Sequence, residues 1–280
     1  MQITFWGVRG SIPTPGPTTV HVGGNTSCVE LRAGNAILIF DGGTGLRLLG
    51  KKLLKEMPLT AHMFFSHVHW DHIQGFPFFE PAFVSGNVFH LYGGKNVSRT
   101  IEETLAGQMD HPNFPVHLTA MGAKMTFRDL AEGEPAEIDD RAGGRVLVTN
   151  ASGNHPQGVY AFRAEHGGKA FVFATDTEHY AGRIDDKLVR LAQGADVFVY
   201  DAQYTPEEYA GTAGGASKKG WGHSTFEEGV KLAKAAGAKK LVLFHHDPTQ
   251  ADDAVREKEM RAKALFPDVI AAREGLTLTF

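Results

Sequence analysis

The feature that most restricts how this chain can fold is an apolar run that ends in a dense group of histidine and aspartate. Residues 63–66 are Met-Phe-Phe-Ser, and His67, His69, Asp71 and His72 follow within six positions. Side chains two residues apart in an extended segment point to the same side, so His67 and His69 can bind one ion together. Asp71 and His72 lie where the chain must turn and can face a second ion. Three imidazoles and a carboxylate suit zinc and similar divalent metals, so this stretch predicts a metal site at a strand end.

Size, charge and cysteine content exclude several classes of protein. A chain of 280 residues can bury a substantial core, as one large α/β domain or two small ones. The formal charge of −4 does not indicate a surface for nucleic acid or anionic membrane. The single cysteine, Cys28, excludes an internal disulfide. The first residues lack a signal-peptide pattern and no run approaches the ~20 apolar residues of a membrane span, so we expect a soluble, cytoplasmic protein.

Strands and helices alternate along most of the chain, which predicts an α/β fold. Apolar or alternating segments bounded by turn residues predict strands at residues 2–6, 27–31, 36–40, 124–127, 145–150, 159–163, 170–174, 196–200, 241–244 and 276–280. Helices are predicted between Gly45 and Pro58, at 96–109, at 184–191, from Ser224 to Gly237 and from near Thr249. Ser224 and Glu227 have the spacing of a capping box. No linker, repeat or low-complexity tract divides the chain, so we expect a single domain over residues 1–280.

Two segments rich in glycine or proline are predicted to be irregular. The first, at 7–24, is either a plain surface connection or a loop that lines the site. The second, from about 77 to 144, contains several prolines and many phenylalanines, and only one helix and one strand are predicted within it. We expect this second segment to be an insertion packed beside the site, as a lid or as a dimer surface.

Two metal ions need about seven or eight protein ligands, and the motif at 67–72 supplies four. The others are expected to be histidine or aspartate at further strand ends, and His155, Asp176 and His245 each follow an apolar strand. His246 is an alternative to His245, which we favour because it directly follows its strand. The predicted ligands form two sets bridged by Asp176, namely His67, His69 and His155 in one set and Asp71, His72 and His245 in the other.

This ligand set resembles that of the metallo-β-lactamase superfamily, and nearly the whole chain outside residues 77–144 shares the resemblance. The chain is most similar to the phosphodiesterase branch that includes tRNase Z and the phosphoribosyl cyclic-phosphate phosphodiesterase. The closer similarity is carried by the Gly/Pro loop at 7–27, by Val199-Tyr200-Asp201-Ala202 and by Gly222-His223-Ser224-Thr225. The resemblance implies a four-layer αββα sandwich with the site at the sheet edges. Members that process tRNA carry a protruding arm and a basic surface, and neither is clear in this sequence.

The expected chemistry is in-line attack of a metal-bridged hydroxide on phosphorus. The leaving alkoxide needs a proton, and we predict that His223 donates it as general acid, oriented and kept protonated by Asp201. A histidine that only begins a helix is the alternative for His223. Asp71 is predicted to be catalytic as well as a ligand, and Asp41 is expected to hold a ligand imidazole.

The acidic chain and its modest size favour a small phosphodiester, such as a cyclic nucleotide, as the substrate. RNA 3′-end processing uses the same chemistry and is the alternative, although nucleic acid is otherwise not favoured as a partner. A lactone or thioester hydrolase would use the same ions without an acid such as His223. A redox diiron protein is disfavoured because glutamate would then be expected at position 69, and a non-catalytic binding module because every expected ligand position is filled.

Two divalent ions are the predicted cofactors. Zn²⁺ is the expected metal, with Mn²⁺ and Fe²⁺ as alternatives that the same ligands accept. We expect no membrane association. The phenylalanine-rich segment at about 77–144 makes a homodimer an option.

Overall fold

In the computed structural model, which describes residues 1–95 and 99–280, the chain forms two mixed sheets of seven strands each. In chain order the strands are β1 (Gln2–Gly7), β2 (Cys28–Ala33), β3 (Ala36–Phe40), β4 (Thr60–Phe64), β5 (Val88–Gly94), β6 (Lys124–Leu130), β7 (Ala136–Asp139), β8 (Arg145–Ser152), β9 (Tyr160–His166), β10 (Lys169–Ala174), β11 (Val197–Asp201), β12 (Leu241–Phe244), β13 (Val269–Ala271) and β14 (Thr277–Thr279). The first sheet has the order β14-β1-β2-β3-β4-β5-β6 and the second the order β13-β12-β11-β10-β9-β8-β7.

Helices cover the outer face of each sheet. They are α1 (Gly45–Leu53), α2 (Trp70–Ile73), α3 (Ile101–Gly107), α4 (Asp186–Leu191), α5 (Pro206–Ala210), α6 (Phe226–Ala236) and α7 (Asp252–Leu265). Side chains of α1 and α3 share an apolar cluster with the first sheet. Side chains of α4, α6 and α7 share another with the second sheet. The predicted four-layer αββα sandwich is therefore confirmed.

The strands in the middle of each sheet are buried on both faces, which explains their continuous apolar sequences. In β3, Leu38 and Phe40 point into the core between the sheets, whereas Ile37 and Ile39 point towards the helices. The ring of Phe40 lies 5.6 Å from that of Phe64 and 5.3 Å from that of Phe171, so both sheets meet at this side chain. Aromatic pairs at such distances stabilise a core beyond the area they bury.

The parallel strands of the two sheets end at a common edge. Strands β3 to β6 are parallel in the first sheet, and β10 to β13 are parallel in the second. The carboxyl ends of such strands are the usual position of ligand sites in α/β folds. The chain segments that follow β3, β4, β10, β11 and β12 all reach this edge, and they carry the polar residues singled out from the sequence.

Residues 77–144 are more regular than expected, because they supply β5, β6 and β7. These strands lie at one side of the two sheets, so the segment is part of both sheets and not only an addition beside the site. The helix predicted at 96–109 corresponds to α3, which begins after the capping residue Thr100. Its predicted first residues, 96–98, lie outside the described residues.

The helix predicted to begin with Ser224 starts one residue later. Thr225 is the N-cap residue of α6, and its hydroxyl accepts a hydrogen bond from the backbone N–H of Glu228. The Ser224 hydroxyl is buried and accepts a hydrogen bond from the Tyr200 hydroxyl, so it does not cap the helix. The predicted end at Gly237 is confirmed, with φ of 62°. Among the described residues, no helix combines the length and apolarity needed to cross a membrane.

Candidate metal centre

Three histidines form the first group of candidate ligands. Ligand nitrogens of His67, His69 and His155 all lie within 4.8 Å of one another. His67 and His69 follow β4, and His155 lies in the connection between β8 and β9. The Nε2 atom of His155 is 3.1 Å from Nδ1 of His69. The buried Nε2 atom of His67 has no hydrogen-bond partner in the described part of the chain. The three predicted members of this group are thus brought together.

A second group contains two carboxylates and two imidazoles. Ligand atoms of Asp71, His72, Asp176 and His245 lie within 4.8 Å of one another, and all four residues are buried. Nε2 of His72 and Nε2 of His245 are 3.3 Å apart. Oδ2 of Asp71 is 3.2 Å from each of these two nitrogens. This group also has the composition expected from the sequence.

Asp176 joins the two groups through its two different oxygens. Oδ1 lies 3.3 Å from Nε2 of His72 and 3.2 Å from Nε2 of His245. Oδ2 lies 3.6 Å from Nε2 of His67 and 3.8 Å from Nε2 of His155. One carboxylate therefore faces both groups, in the bridging arrangement that the sequence suggested.

The adjacent histidine, His246, lies outside both groups. Its Nε2 atom donates to the carbonyl oxygen of Ala272 over 2.9 Å, and its ring is buried behind the site. His245 and not His246 reaches the ligand cluster, and the left-handed backbone of His245 (φ 59°) follows directly after the end of β12.

The donor set and its charges fit two divalent cations. The carboxylates of Asp71 and Asp176 are both buried, and both lie beside His72 and His245. Burying a charged carboxylate costs free energy unless a cation or several hydrogen-bond donors compensate its charge. Histidine nitrogens and aspartate oxygens are ligands that zinc and similar ions accept. The unpartnered Nε2 of His67 is explained if that atom binds a metal. The residues present thus fit the predicted metal pair.

The histidines of the two groups differ in electrostatic environment. Burial and the neighbouring His72 hold the pKa of His67 well below its usual value. Burial also lowers the pKa of His72, but the carboxylates of Asp71 and Asp176 outweigh it and raise that pKa well above the ordinary value. For Asp71, burial would raise the pKa, but His72 and His245 hold it well below the usual range. The second group therefore attracts positive charge, which is what a bound cation supplies.

Side chains behind the candidate ligands fix the orientation of three rings. Asp41 accepts from Nδ1 of His72 over 2.7 Å, and its own carboxylate is held by Ser66. The side-chain oxygen of Gln203 is 2.9 Å from Nδ1 of His245. The side-chain oxygen of Gln157 is 2.8 Å from Nε2 of His69. Such partners set which nitrogen of a histidine carries the proton and which is available to a metal.

Asp41 was expected in this position, but the two glutamines were not. Gln203 follows the end of β11 by two residues, and a polar residue so soon after a buried strand is a signal that the sequence carries. Gln157 lies in an irregular connection, and its sequence context carries no comparable signal.

His223 and Asp201 adjoin the second group, and their ligand atoms lie within 4.8 Å of those of Asp176 and His245. Nδ1 of His223 is 2.9 Å from Oδ2 of Asp201, and the other oxygen of Asp201 accepts from the backbone N–H of Gln203. Burial lowers the pKa of His223, but Asp201 outweighs it and raises that pKa to about 9. His223 lines a cavity of about 480 Å³ together with Asp71 and Asp176. The His223 imidazole thus faces the cavity beside the metal centre, and Asp201 favours its protonated form.

The backbone is strained around the site. Six non-glycine residues have positive φ in the described ranges, and five of them belong to the site or touch it. They are Ser11 (φ 64°), Asp41 (61°), Gln157 (64°), Asp176 (51°) and His245 (59°). A left-handed conformation is unfavourable for residues other than glycine, and such residues concentrate at functional sites.

The loop at residues 7–24 lines the site, which decides between its two predicted roles. The backbone N–H of Ser11 donates to Oδ2 of Asp71 over 2.7 Å. A Cβ atom on Gly10 would lie 2.3 Å from the ring of His245, so only glycine allows this approach. At the opposite side, a Cβ atom on Gly222 would lie 2.2 Å from Nδ1 of His155. Both glycines let the backbone pass close to candidate ligands.

Comparison with known proteins agrees with this geometry. A family model described as the beta-lactamase superfamily domain matches residues 37–246, which include both ligand groups, Asp201 and His223. The chain belongs to the beta-lactamase superfamily. The resemblance to the metallo-β-lactamase superfamily drawn from the sequence is therefore confirmed.

Relatives of this superfamily member match it over nearly its full length. Ribonuclease Z of Synechococcus sp. (strain CC9311) is 26% identical over 335 aligned positions, covering 99% of this chain and 98% of the relative. The metallo-beta-lactamase fold protein YhfI from Bacillus subtilis has a TM-score of 0.71 at 20% identity, covering 99% of this chain and 98% of YhfI. A diphosphatase from the PhnP family has a TM-score of 0.69 at 18% identity, covering 100% and 97%. The two structures support the superfamily fold.

Proposed function

We propose that this chain is a metal-dependent phosphodiesterase that hydrolyses a small phosphodiester, such as a cyclic nucleotide, at a dinuclear centre. The single observation that carries the proposal is the position of Asp176. Its two oxygens face two groups of candidate ligands, and Asp176 lines the same cavity as His223. A centre for two cations and a proton donor thus share one cavity, as hydrolysis of a phosphodiester requires.

The metal pair would be held by seven side chains. They are His67, His69 and His155 for one ion, Asp71, His72 and His245 for the other, and Asp176 for both. When bound, a pair of divalent cations supplies Lewis acidity towards the phosphoryl oxygens and a nucleophile generated from water at neutral pH. We propose Zn²⁺ as the metal, while the same donors accept Mn²⁺ and Fe²⁺.

His223 is proposed to protonate the leaving oxygen. Its Nδ1 atom is engaged by Asp201, so the ring can donate from Nε2 towards the cavity that it lines. As the phosphorus–oxygen bond of the leaving group breaks, the proton moves from His223 to that oxygen, and Asp201 stabilises the position of the ring. Asp71 contributes by holding its carboxylate between His72 and His245, where Ser11 fixes its orientation.

Two observations favour a small substrate over a long RNA. The alignment with the Synechococcus ribonuclease Z spans 335 positions although this chain has 280 residues, so the relative contains segments that this chain lacks. The chain also carries a net charge of −4, whereas proteins that bind nucleic acid use positive surfaces to contact phosphates.

RNA 3′-end processing is the second candidate function. The specific observation in its favour is the name shared by relatives that match nearly the whole chain, all called ribonuclease Z. A lactone or thioester hydrolase is less well supported, because cleavage of those bonds does not require an acid such as His223.

A hydrolysis panel with metal-reconstituted protein tests the proposal. We expect turnover of bis-nitrophenyl phosphate and of cyclic nucleotides, and little turnover of a lactone, a thioester or a 3′-extended RNA. The matched control is Asp176→Asn, which keeps the size of the side chain and removes its charge. Rapid hydrolysis of the lactone or thioester without diester turnover would overturn the proposal, and selective cleavage of the RNA would favour the second candidate.

A further inference from the structure

A second, larger cavity adjoins the candidate metal centre. It has a volume of about 690 Å³, within the range of small-molecule sites. Val68 and Trp70 line both this cavity and the one that contains Asp71, Asp176 and His223. We call the larger one the side cavity. A ligand with its phosphate at the metal centre can extend past Trp70 into it.

The walls of the side cavity carry exposed aromatic rings. Trp70 is 79% exposed and Phe78 is 55% exposed, although large apolar side chains are usually buried. Phe78 and Phe114 form an edge-to-face pair with ring centroids 5.5 Å apart, which holds the Phe78 ring in place. Exposed aromatic rings next to a phosphate-handling site are surfaces on which nucleic-acid bases stack.

Amide and charged groups lie among these rings. Gln74, Gln108 and Asn113 line the side cavity and offer both hydrogen-bond donors and acceptors, as the edges of bases do. The Nε2 atom of Gln108 is buried and has no hydrogen-bond partner among the residues described. Arg99 and Glu103 add one charge of each sign. An aliphatic ligand would leave the buried amide donor of Gln108 unpaired, which is costly.

We infer that the side cavity binds the nucleobase of a nucleotide-type phosphodiester whose phosphate lies at the metal centre. This inference rests on the proposed function and names the class of substrate. The base stacks against Trp70 and Phe78, and the neighbouring amides face its polar edge. A mononucleotide is favoured over a nucleic-acid strand because the wall combines Arg99 with Glu103, whereas a strand needs a continuous positive groove.

The first test compares substrates with and without a base. Metal-loaded protein is given 2′,3′-cyclic adenosine monophosphate or base-free glycerol cyclic phosphate, and kcat and KM are measured for each. Phe78→Ala removes a ring from the side cavity, and Phe83→Ala is the matched control, since Phe83 is 37% exposed and does not line it. We expect Phe78→Ala to raise KM for the nucleotide on the order of 10-fold, with no change for glycerol cyclic phosphate, and Phe83→Ala to change neither.

The second test measures base binding without turnover. Adenosine monophosphate is titrated into the metal-loaded protein while tryptophan fluorescence is recorded, and Trp70→Phe is expected to remove the change in signal. Quenching through Trp70 without hydrolysis of any diester would overturn the proposed function and support the base site. Hydrolysis of diesters with no preference for the base and no quenching would overturn the base site alone. A preference for RNA oligomers that grows with their length would overturn the mononucleotide occupant.

Discussion

Nδ1 of His72 lies 2.7 Å from Oδ2 of Asp41, and both side chains are buried. The carboxylate keeps the proton on Nδ1, so Nε2 is left free to face Asp71, Asp176 and His245. Ser27 and Ser66 donate to the same carboxylate and hold it in place. A residue that contacts no ion would thus control how a ligand is presented.

We expect Asp41→Asn to weaken metal binding, because the amide keeps the shape of the carboxylate and loses its charge. Loss of such a partner typically reduces affinity about 10- to 100-fold. Competition with a chelator, read by elemental analysis, measures the effect. Asp268→Asn is the control, since its side chain is 72% exposed and far from the cluster in sequence. Equal chelator midpoints for the two variants would contradict the role of Asp41.

Replacing His223 tests the role of the proton donor independently of metal binding. We expect His223→Ala to reduce kcat about 10²- to 10⁴-fold for a diester with an alkyl leaving group. The loss for bis-nitrophenyl phosphate is expected to be small, because nitrophenolate leaves without a proton. Metal content should stay unchanged, as measured on the same preparation. Equal losses on both substrates would remove His223 from the role of general acid.

The neighbouring histidines 245 and 246 offer a matched pair of substitutions. His245→Gln is expected to lower the metal content towards one equivalent, because the second group loses a ligand. His246→Gln is expected to keep close to two equivalents, since its ring bonds only the Ala272 carbonyl. Metal analysis after gel filtration compares the two variants. The reverse result would show that the site uses the other histidine.

Two glycines of the loop at 7–24 provide a similar comparison. A Cβ atom on Gly10 would lie 2.3 Å from His245, whereas one on Gly16 would meet no atom within 4 Å. We therefore expect Gly10→Ala to reduce diester hydrolysis by displacing the loop or the imidazole, and Gly16→Ala to leave it unchanged. The thermal unfolding midpoint distinguishes a local effect from a general one. Full activity of Gly10→Ala would refute the close approach.

The stability of the protein at acidic pH is expected to depend on His62. Burial and the nearby His90 lower the pKa of His62 to about 4, and the two rings stack 4.7 Å apart. The unfolded chain, with an ordinary pKa near 6.5, therefore binds the proton first as pH falls. The contribution of neutral His62 is complete above pH 6.5 and is lost between pH 6.5 and 4, at most about 3 kcal/mol.

Denaturant titrations at pH 7 and pH 5 check this expectation. The wild type is expected to lose more free energy of unfolding between the two pH values than His62→Gln, because glutamine has no proton to gain. His21→Gln serves as the control, because His21 is exposed. An identical pH dependence of the wild type and His62→Gln would rule out the buried imidazole as a source of acid sensitivity.

The candidate ligands could be predicted because they directly follow apolar strands. His245 comes immediately after β12, and β12 has the boundaries predicted from its four apolar residues. Parallel strands ending at one edge then bring distant parts of the chain together. We favoured His245 over His246 because it directly follows its strand, and in the structure His245 lies among the candidate ligands while His246 bonds the Ala272 carbonyl.

Some features were missed, and others depend on contacts that no local pattern reveals. Strand β5 lies in the segment predicted to be irregular, although Val88, Phe89 and Tyr92 favour a strand, and its two final glycines pair with β6. The Ser224 hydroxyl accepts a hydrogen bond from the Tyr200 hydroxyl, and Thr225 is the N-cap residue of α6 instead. The side cavity combines α2 with residues 99–114, and their proximity follows from the tertiary fold alone.

The residues with left-handed backbone conformation around the site restrict which substitutions this protein can accept during evolution. Each such backbone conformation costs on the order of 1–3 kcal/mol when the residue is not glycine. Exchanging Asp176 or His245 for glycine would release that energy and remove a candidate metal ligand in the same step. Substitutions at these few positions that raise stability are therefore expected to lower activity. A chain selected for stability alone would lose catalytic activity.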